Sequence, residues 1–153
     1  MKRWLPFVKS GPTVAVLRLN GAIGLGGRMA LSDTSLAPLI EKVFKRGKPD
    51  AVALEINSPG GSPVQSSLIA GRIRRQAAEK NIPVIAFVED VAASGGYWLA
   101  CAGDEIYAEE SPIIGSIGVV TQGFGFTGLM KRLGVERRLH TSGEHKAILD
   151  PFL

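Results

Sequence analysis

The sequence has few of the residues on which several classes of protein depend. A single cysteine, Cys101, among 153 residues excludes an internal disulfide framework, so an oxidising compartment is not required. With two histidines and no cluster of metal-ligand spacing, the chain gives no sign of a metal site, and no cofactor motif is evident. The N-terminal apolar stretch contains Pro6 and stops at Lys9, which makes it too short for a signal peptide or a membrane span.

What is present describes a globular domain. The chain is 45% hydrophobic and 21% charged, which is enough apolar material for one core. Its formal net charge of +4 comes from basic residues scattered along the chain, as on solvated helix faces, and no nucleic-acid partner is predicted. We expect a short tail over residues 1–12 and one domain over 13–153.

Hydrophobic periodicity predicts an α/β fold. Strands are expected at 13–19, 51–56, 83–88 and 135–141, and helices from Ser32 or Asp33 to Phe44, at 63–79 and from Ser94 to Ala102. The second helix should turn Val64, Leu68, Ile69 and Ile73 inward, and a surface helix ending at Leu133 should do so with Leu129, Met130 and Leu133. Two successive strand-loop-helix units predict a mainly parallel sheet with crossover helices.

Two glycine-rich loops fall at the predicted carboxyl ends of strands, where sites gather in such sheets. One is Gly60-Gly61, and the other holds Ser94 between two alanines and two glycines. Small neighbours let a substrate carbonyl approach a serine hydroxyl, and glycine N–H groups can bind an oxyanion. The alternative is an ordinary turn serine. Gly60-Gly61 is not a phosphate loop, because no Gly-Lys-Ser/Thr follows it.

A nucleophilic serine needs a base. His140 and His145 lie late in the chain without an obvious carboxylate partner, which argues against a Ser-His-Asp triad. Lys146 is the other candidate, although an exposed lysine at a helix start is the commoner arrangement.

Four motifs in order resemble the signal peptide peptidase A (protease IV) family of serine peptidases, from about Thr13 to the end of the chain. They are residues 56–61 (INSPGG), 93–98 (ASGGYW), 115–119 (GSIGV) and the stretch around Lys146. The resemblance implies a Clp-protease/crotonase type of fold built from repeated β-β-α and β-α-β units. It also implies hydrolysis of signal peptides and other short polypeptides, and assembly into dome-like rings. In some members the lysine comes from a neighbouring subunit.

The resemblance implies a role for each matching residue. Ser94 would be the nucleophile, Lys146 the general base, and Ser116 the hydrogen-bond partner of the lysine amine. Gly95 and Gly61 would supply the oxyanion-hole N–H groups. Family members continue beyond the equivalent of Leu153, so we expect the peptidase domain to be truncated at its C-terminus.

Peptide substrate should bind as an extended strand, and Ser111–Ile117 is the edge expected to receive it, with pockets for small or apolar side chains. Two other functions stay open. A crotonase-type acyl-CoA lyase or hydrolase would use the same oxyanion hole with carboxylates such as Glu55 or Asp90. A catalytically silent assembly module would use only surfaces, among them the basic segment with Trp4 and Phe7. That segment suits an anionic membrane surface or, alternatively, is a poorly ordered tail, so the expected location is cytoplasmic or peripheral to the cytoplasmic membrane.

Overall fold

The structure, a computed structural model, describes residues 11–24, 30–120, 122–142 and 147–152. The chain divides into two compact units, Met1–Gly118 and Val119–Leu153. The elements in chain order are β1 (Val14–Asn20), α1 (Asp33–Lys45), β2 (Ala51–Ser58), α2 (Pro63–Lys80), β3 (Val84–Ala93), α3 (Gly95–Ala100), β4 (Glu105–Ala108), β5 (Ile113–Gly115) and α4 (Thr127–Leu133).

All strand pairs of the first unit are parallel, in the order β1-β2-β3-β4, and β5 pairs with β3 beyond the end of β4. Parallel neighbours need crossover connections, which α1 and α2 provide. The predicted α/β class with a parallel sheet is therefore confirmed.

One face of the sheet is the core. Leu17, Leu54 and Ala86 form one buried row across three strands, and Leu19, Ile56 and Val88 form the next. On the opposite face, the row through Arg18 and Glu55 carries an ion pair and continues to Phe87, whose ring stacks on Tyr107 at 5.6 Å.

The two long helices begin at side-chain caps. Ser32 and Ser35 form a capping box for α1, and the Ser62 hydroxyl accepts the N–H of Gln65 at the start of α2. The Arg72 guanidinium binds both carboxylate oxygens of Asp33 at 2.7 Å and so ties α2 to α1.

The structure corrects several predictions. Val64 and Leu68 are 65% and 44% exposed, whereas α2 buries Gln65, Ser66, Ile69, Ala70, Ile73 and Ala77. Strand β3 continues five residues past Val88, to Ala93, because β5 gives its last residues a partner. In the second unit, residues 135–141 do not form a strand, and Leu129 and Leu133 of α4 are exposed rather than inward.

Candidate active site

Ser94 occupies the junction between β3 and α3. Its backbone has φ of +52° and ψ of −118°, a conformation that a residue with a side chain adopts at a cost of about 1–3 kcal/mol. The sharp strand-serine-helix turn is the arrangement that presents the nucleophile in several hydrolase families. Such strain persists only where surrounding contacts enforce it, which marks this serine as more than a turn residue.

The loop after β2 is one of those contacts. A Cβ placed on Gly60 would lie 2.6 Å from the Ala93 carbonyl oxygen, 2.7 Å from the Gly95 nitrogen and 2.9 Å from the Ser94 Cβ. Only glycine allows the two loops to approach this closely, and the Gly60 φ of +91° also favours it. The two glycine-rich loops predicted from the sequence therefore lie against each other.

Gly61 is held by a short stretch of parallel pairing with Ile23. The Ile23 N–H donates to the Gly60 carbonyl at 2.8 Å, and the Ser62 N–H donates to the Ile23 carbonyl at 2.8 Å. In a parallel bridge the residue opposite, here Gly61, turns its own N–H and C=O away from that partner. The Gly60 N–H, in contrast, donates to the buried Ser58 hydroxyl at 3.2 Å.

Ser116 follows the strand next to Ser94. Ala93 and Gly115 are register partners, and the Ser94 N–H donates to the Gly115 carbonyl at 2.7 Å. Each serine is thus the residue directly after its paired strand, and Ser116 has the same φ of +52° as Ser94. The structure therefore brings Ser94, Gly95, Gly61 and Ser116 to one end of the sheet.

The carboxylates suggested for acyl-CoA chemistry both have partners. Glu55 forms an ion pair with Arg18 at 2.5 Å, and Asp90 accepts a hydrogen bond from the Asn57 amide at 2.8 Å. Among the described residues, no group of three His, Cys, Asp or Glu side chains is placed to hold a metal ion. None of the described helices has the length and apolar character needed to cross a membrane.

Both Lys146 and His145 lie outside the described residues, so neither candidate base has a described position. His140 is exposed in the second unit. Two residues that support the site had no predicted role. Ser58 was quoted only as part of a motif, and Ile23 follows a turn without any strand pattern, so no local signal identifies its pairing.

A family profile decides the classification. The profile of Peptidase family S49 matches residues 76–152. The chain belongs to peptidase family S49. This confirms the family resemblance found in the motifs.

Individual relatives agree with this family. The chain is 31% identical over 148 residues to a putative signal peptide peptidase SppA of Enterococcus faecium, with 93% of this chain and 43% of that protein covered. It is 37% identical over 145 residues to a probable protease SohB of Buchnera aphidicola, with 94% and 46% covered. It is also 54% identical over 157 residues to a protein of Brucella melitensis named Na(+)/H(+) antiporter NhaA, with 99% and 21% covered. The chain thus spans less than half the length of each of these relatives.

Solved structures place the fold in the same group. A serine-to-alanine mutant of the 1510-N membrane-bound stomatin-specific protease matches with a TM-score of 0.58 at 20% identity, over 76% of this chain and 53% of that one. A lysine-to-alanine mutant of that protease, in complex with a substrate peptide, matches with a TM-score of 0.57 at 21% identity, over 78% and 51%. The Clp-protease/crotonase-like fold class is confirmed.

Proposed function

We propose that the protein is a serine endopeptidase in which Ser94 is the nucleophile and Lys146 the general base. The observation that carries the proposal is the strained turn at Ser94, pressed by Gly60 and adjacent to Ser116. The solved neighbours, one a serine mutant and one a lysine mutant with bound substrate peptide, are consistent with a Ser-Lys pair. The peptidase domain would comprise residues 13–153 and whatever chain completes it.

Charge stabilisation falls to two backbone N–H groups. Gly95 is the first residue of α3, where N–H groups lack intrahelical partners, and the Gly61 N–H points away from Ile23. Because the Gly60 N–H already donates to Ser58, Gly61 is the better choice within its loop. In the reaction Ser94 Oγ attacks the scissile carbonyl, and its oxygen becomes the oxyanion that these two groups bind.

Lys146 would take the proton from Ser94 and give it to the leaving amine. At its ordinary pKa of about 10.4, roughly one lysine in 2,500 is neutral at pH 7, so the site must disfavour the charged form. Desolvation of the amine does this, and a hydroxyl such as that of Ser116 orients the neutral nitrogen. The acyl-enzyme is then hydrolysed by water that the same amine activates.

The substrate would be a peptide in extended conformation, as in signal peptides and other short polypeptides. Strand β5, at residues 113–115, pairs with β3 on one side, and no described strand pairs with its other side. An added strand gains main-chain hydrogen bonds there without demanding a sequence. The comparisons give no support to the acyl-CoA alternative, and Glu55 and Asp90 are already paired.

Self-assembly is the second part of the proposal. Apolar side chains on both sides of Ser116 are exposed in the single chain, with Ile117 and Phe124 each 81% accessible. Contiguous exposed apolar side chains favour association, and a second copy is the partner we propose. The basic N-terminal segment 1–12, with Trp4 and Phe7, supports peripheral contact with the cytoplasmic membrane, which vesicle co-sedimentation would test.

A peptide-library digest by the full-length protein tests the function. We expect hydrolysis that is lost in Ser94→Ala and Lys146→Ala and kept in the matched controls Ser67→Ala and Lys131→Ala. A serine-directed phosphonate should label Ser94 alone. A folded, assembled protein that leaves every peptide intact and Ser94 unlabelled would reject the assignment, and CoA-thioester turnover that survives Ser94→Ala would establish the alternative.

A further inference from the structure

An ion pair in the second unit closes the loop that contains Lys146. The Arg137 guanidinium contacts Asp150 through two parallel bonds, Nη1 to Oδ1 at 2.6 Å and Nη2 to Oδ2 at 2.6 Å. The two residues are 13 positions apart in the chain, and Lys146 lies between them. The Asp150 side chain is only 13% exposed, so this pair is shielded from water more than a surface pair.

The turn after Lys146 is fixed by further contacts around Asp150. The Asp150 N–H donates to the Ala147 carbonyl at 2.9 Å, and Asp150 Oδ1 also accepts the Phe152 N–H at 3.0 Å. One carboxylate therefore binds both the guanidinium and the backbone of its own turn. Ala147, the first residue of this turn, is bonded covalently to Lys146.

Aromatic contacts hold the same turn against the start of α4. The Phe126 N–H donates to the Pro151 carbonyl at 2.6 Å, and the Phe126 and Phe152 rings stack at 5.3 Å. The Arg137 guanidinium lies 5.4 Å from the Phe152 ring centroid, within the range of a cation–π contact. The turn is thus tied to two other segments, α4 and the chain around Arg137.

We propose that Asp150, paired with Arg137, is a positioning residue that holds the chain on the C-terminal side of Lys146 so that its amine reaches Ser94. The inference rests on the proposed Ser94–Lys146 pair. Consecutive Cα atoms are about 3.8 Å apart, so a fixed Ala147 confines the backbone from which the lysine extends. Arg137 also neutralises the carboxylate, which would otherwise favour the charged form of a nearby amine.

The test compares Asp150→Asn, Asp150→Glu and Arg137→Gln in the full-length protein. The matched control is Arg138→Gln, because Arg138 pairs with Glu136 on the surface, where both side chains are largely exposed. We expect kcat to fall about 10- to 100-fold in Asp150→Asn and Arg137→Gln, with KM changed by less than about threefold, since a small misplacement of a reacting group acts on the chemical step. The double variant should be no worse than either single one, and Asp150→Glu should recover part of the loss.

The pH profile separates positioning from general stabilisation. A loosened lysine is more hydrated, so its pKa returns toward its ordinary value and the acidic limb of kcat/KM should move to higher pH in Asp150→Asn. Glu144 and His145, which precede Lys146 in the sequence, are unchanged in every variant and do not affect the comparison. Thermal unfolding, followed for each variant, confirms that the assays are made on folded protein.

Each outcome has one meaning. If wild type hydrolyses peptides in a Lys146-dependent way and folded Asp150→Asn matches Arg138→Gln in kcat and pH profile, the positioning role is wrong and the proposed function stands. If Asp150→Asn and Arg137→Gln lose activity by different mechanisms, so that their effects simply add, the pairing role is wrong. If wild type and Lys146→Ala are equally inactive, the proposed function itself fails, and the positioning role fails with it.

Discussion

Replacing Gly60 by alanine adds one methyl group at the contact between the two loops of the site. That methyl would meet the Ala93 carbonyl oxygen at 2.6 Å, the Gly95 nitrogen at 2.7 Å and the Ser94 Cβ at 2.9 Å. Two of these atoms are backbone, so no side-chain rotation relieves the contact. Either the 59–62 loop or the turn at Ser94 must move.

The expected loss of stability has two parts. An L side chain at the observed φ of +91° costs about 1–3 kcal/mol, and forcing an extra methyl into a packed contact costs about 1–3 kcal/mol more. The sum, about 2–6 kcal/mol, is less than or similar to the free energy of unfolding of a typical domain, about 5–15 kcal/mol. We therefore expect a folded but weakened variant, in which a displacement near 1 Å at Gly61 or Ser94 lowers kcat about 100-fold.

Urea unfolding and peptide hydrolysis measure the two effects. Gly71→Ala is the control, because Gly71 lies inside α2 and a Cβ there meets only the Arg75 Nη1 at 3.3 Å. That flexible side chain can move, and alanine should stabilise the helix by about 0.5–1 kcal/mol without changing kcat. A Gly60→Ala protein with wild-type urea midpoint and wild-type kcat would show that the loop contact does not support the serine as argued.

Three further predictions concern the frame that holds the site. Phe44→Ala should reduce the free energy of unfolding by about 3–5 kcal/mol in urea titrations, because the fully packed ring of α1 leaves a cavity; a loss below 1 kcal/mol would contradict its core position. Ser62→Ala should cost about 1 kcal/mol through the lost helix cap, and an unchanged urea midpoint would show that the cap is dispensable. The hydrogen bonds from Arg72 hold the pKa of Asp33 below its ordinary value, so this pair stabilises the fold above about pH 4, and the contribution disappears as pH falls through the lowered pKa. The difference in unfolding free energy between wild type and Arg72→Gln should therefore shrink in acid; a difference independent of pH down to about 2 would refute the linkage.

Most of the framework could be predicted from the sequence because local patterns determine it. Strands β1, β2 and β3 and helices α1 and α2 lie where periodicity and caps predict them. The inward face of α2 was wrong because hydrophobicity selected Val64 and Leu68, whereas the helix packs through smaller residues such as Ser66 and Ala70. Small side chains permit close approach of neighbouring elements, and no hydrophobic pattern reveals that choice.

The parts of the site that depend on distant pairing were less accessible. Ser94 and the two glycine loops were found because each stands directly after an apolar run. The length of β3 was not, because Glu89 and Asp90 interrupt that run and only pairing with β5 carries the strand on to Ala93. The bridge from Ile23 to Gly61 joins residues with no shared local pattern, so three-dimensional structure alone reveals it.

That bridge has a consequence for any attempt to shorten the protein. Ile23 braces Gly61, Gly60 presses on Ser94, and the amide of Ser94 is anchored by Gly115, so each step spans a long excursion of the chain. A proteolytic fragment that begins after residue 23 or stops before residue 115 would keep whole strands and helices yet lose one side of the cleft. Minimal active pieces, if sought by deletion, should all contain this interval intact.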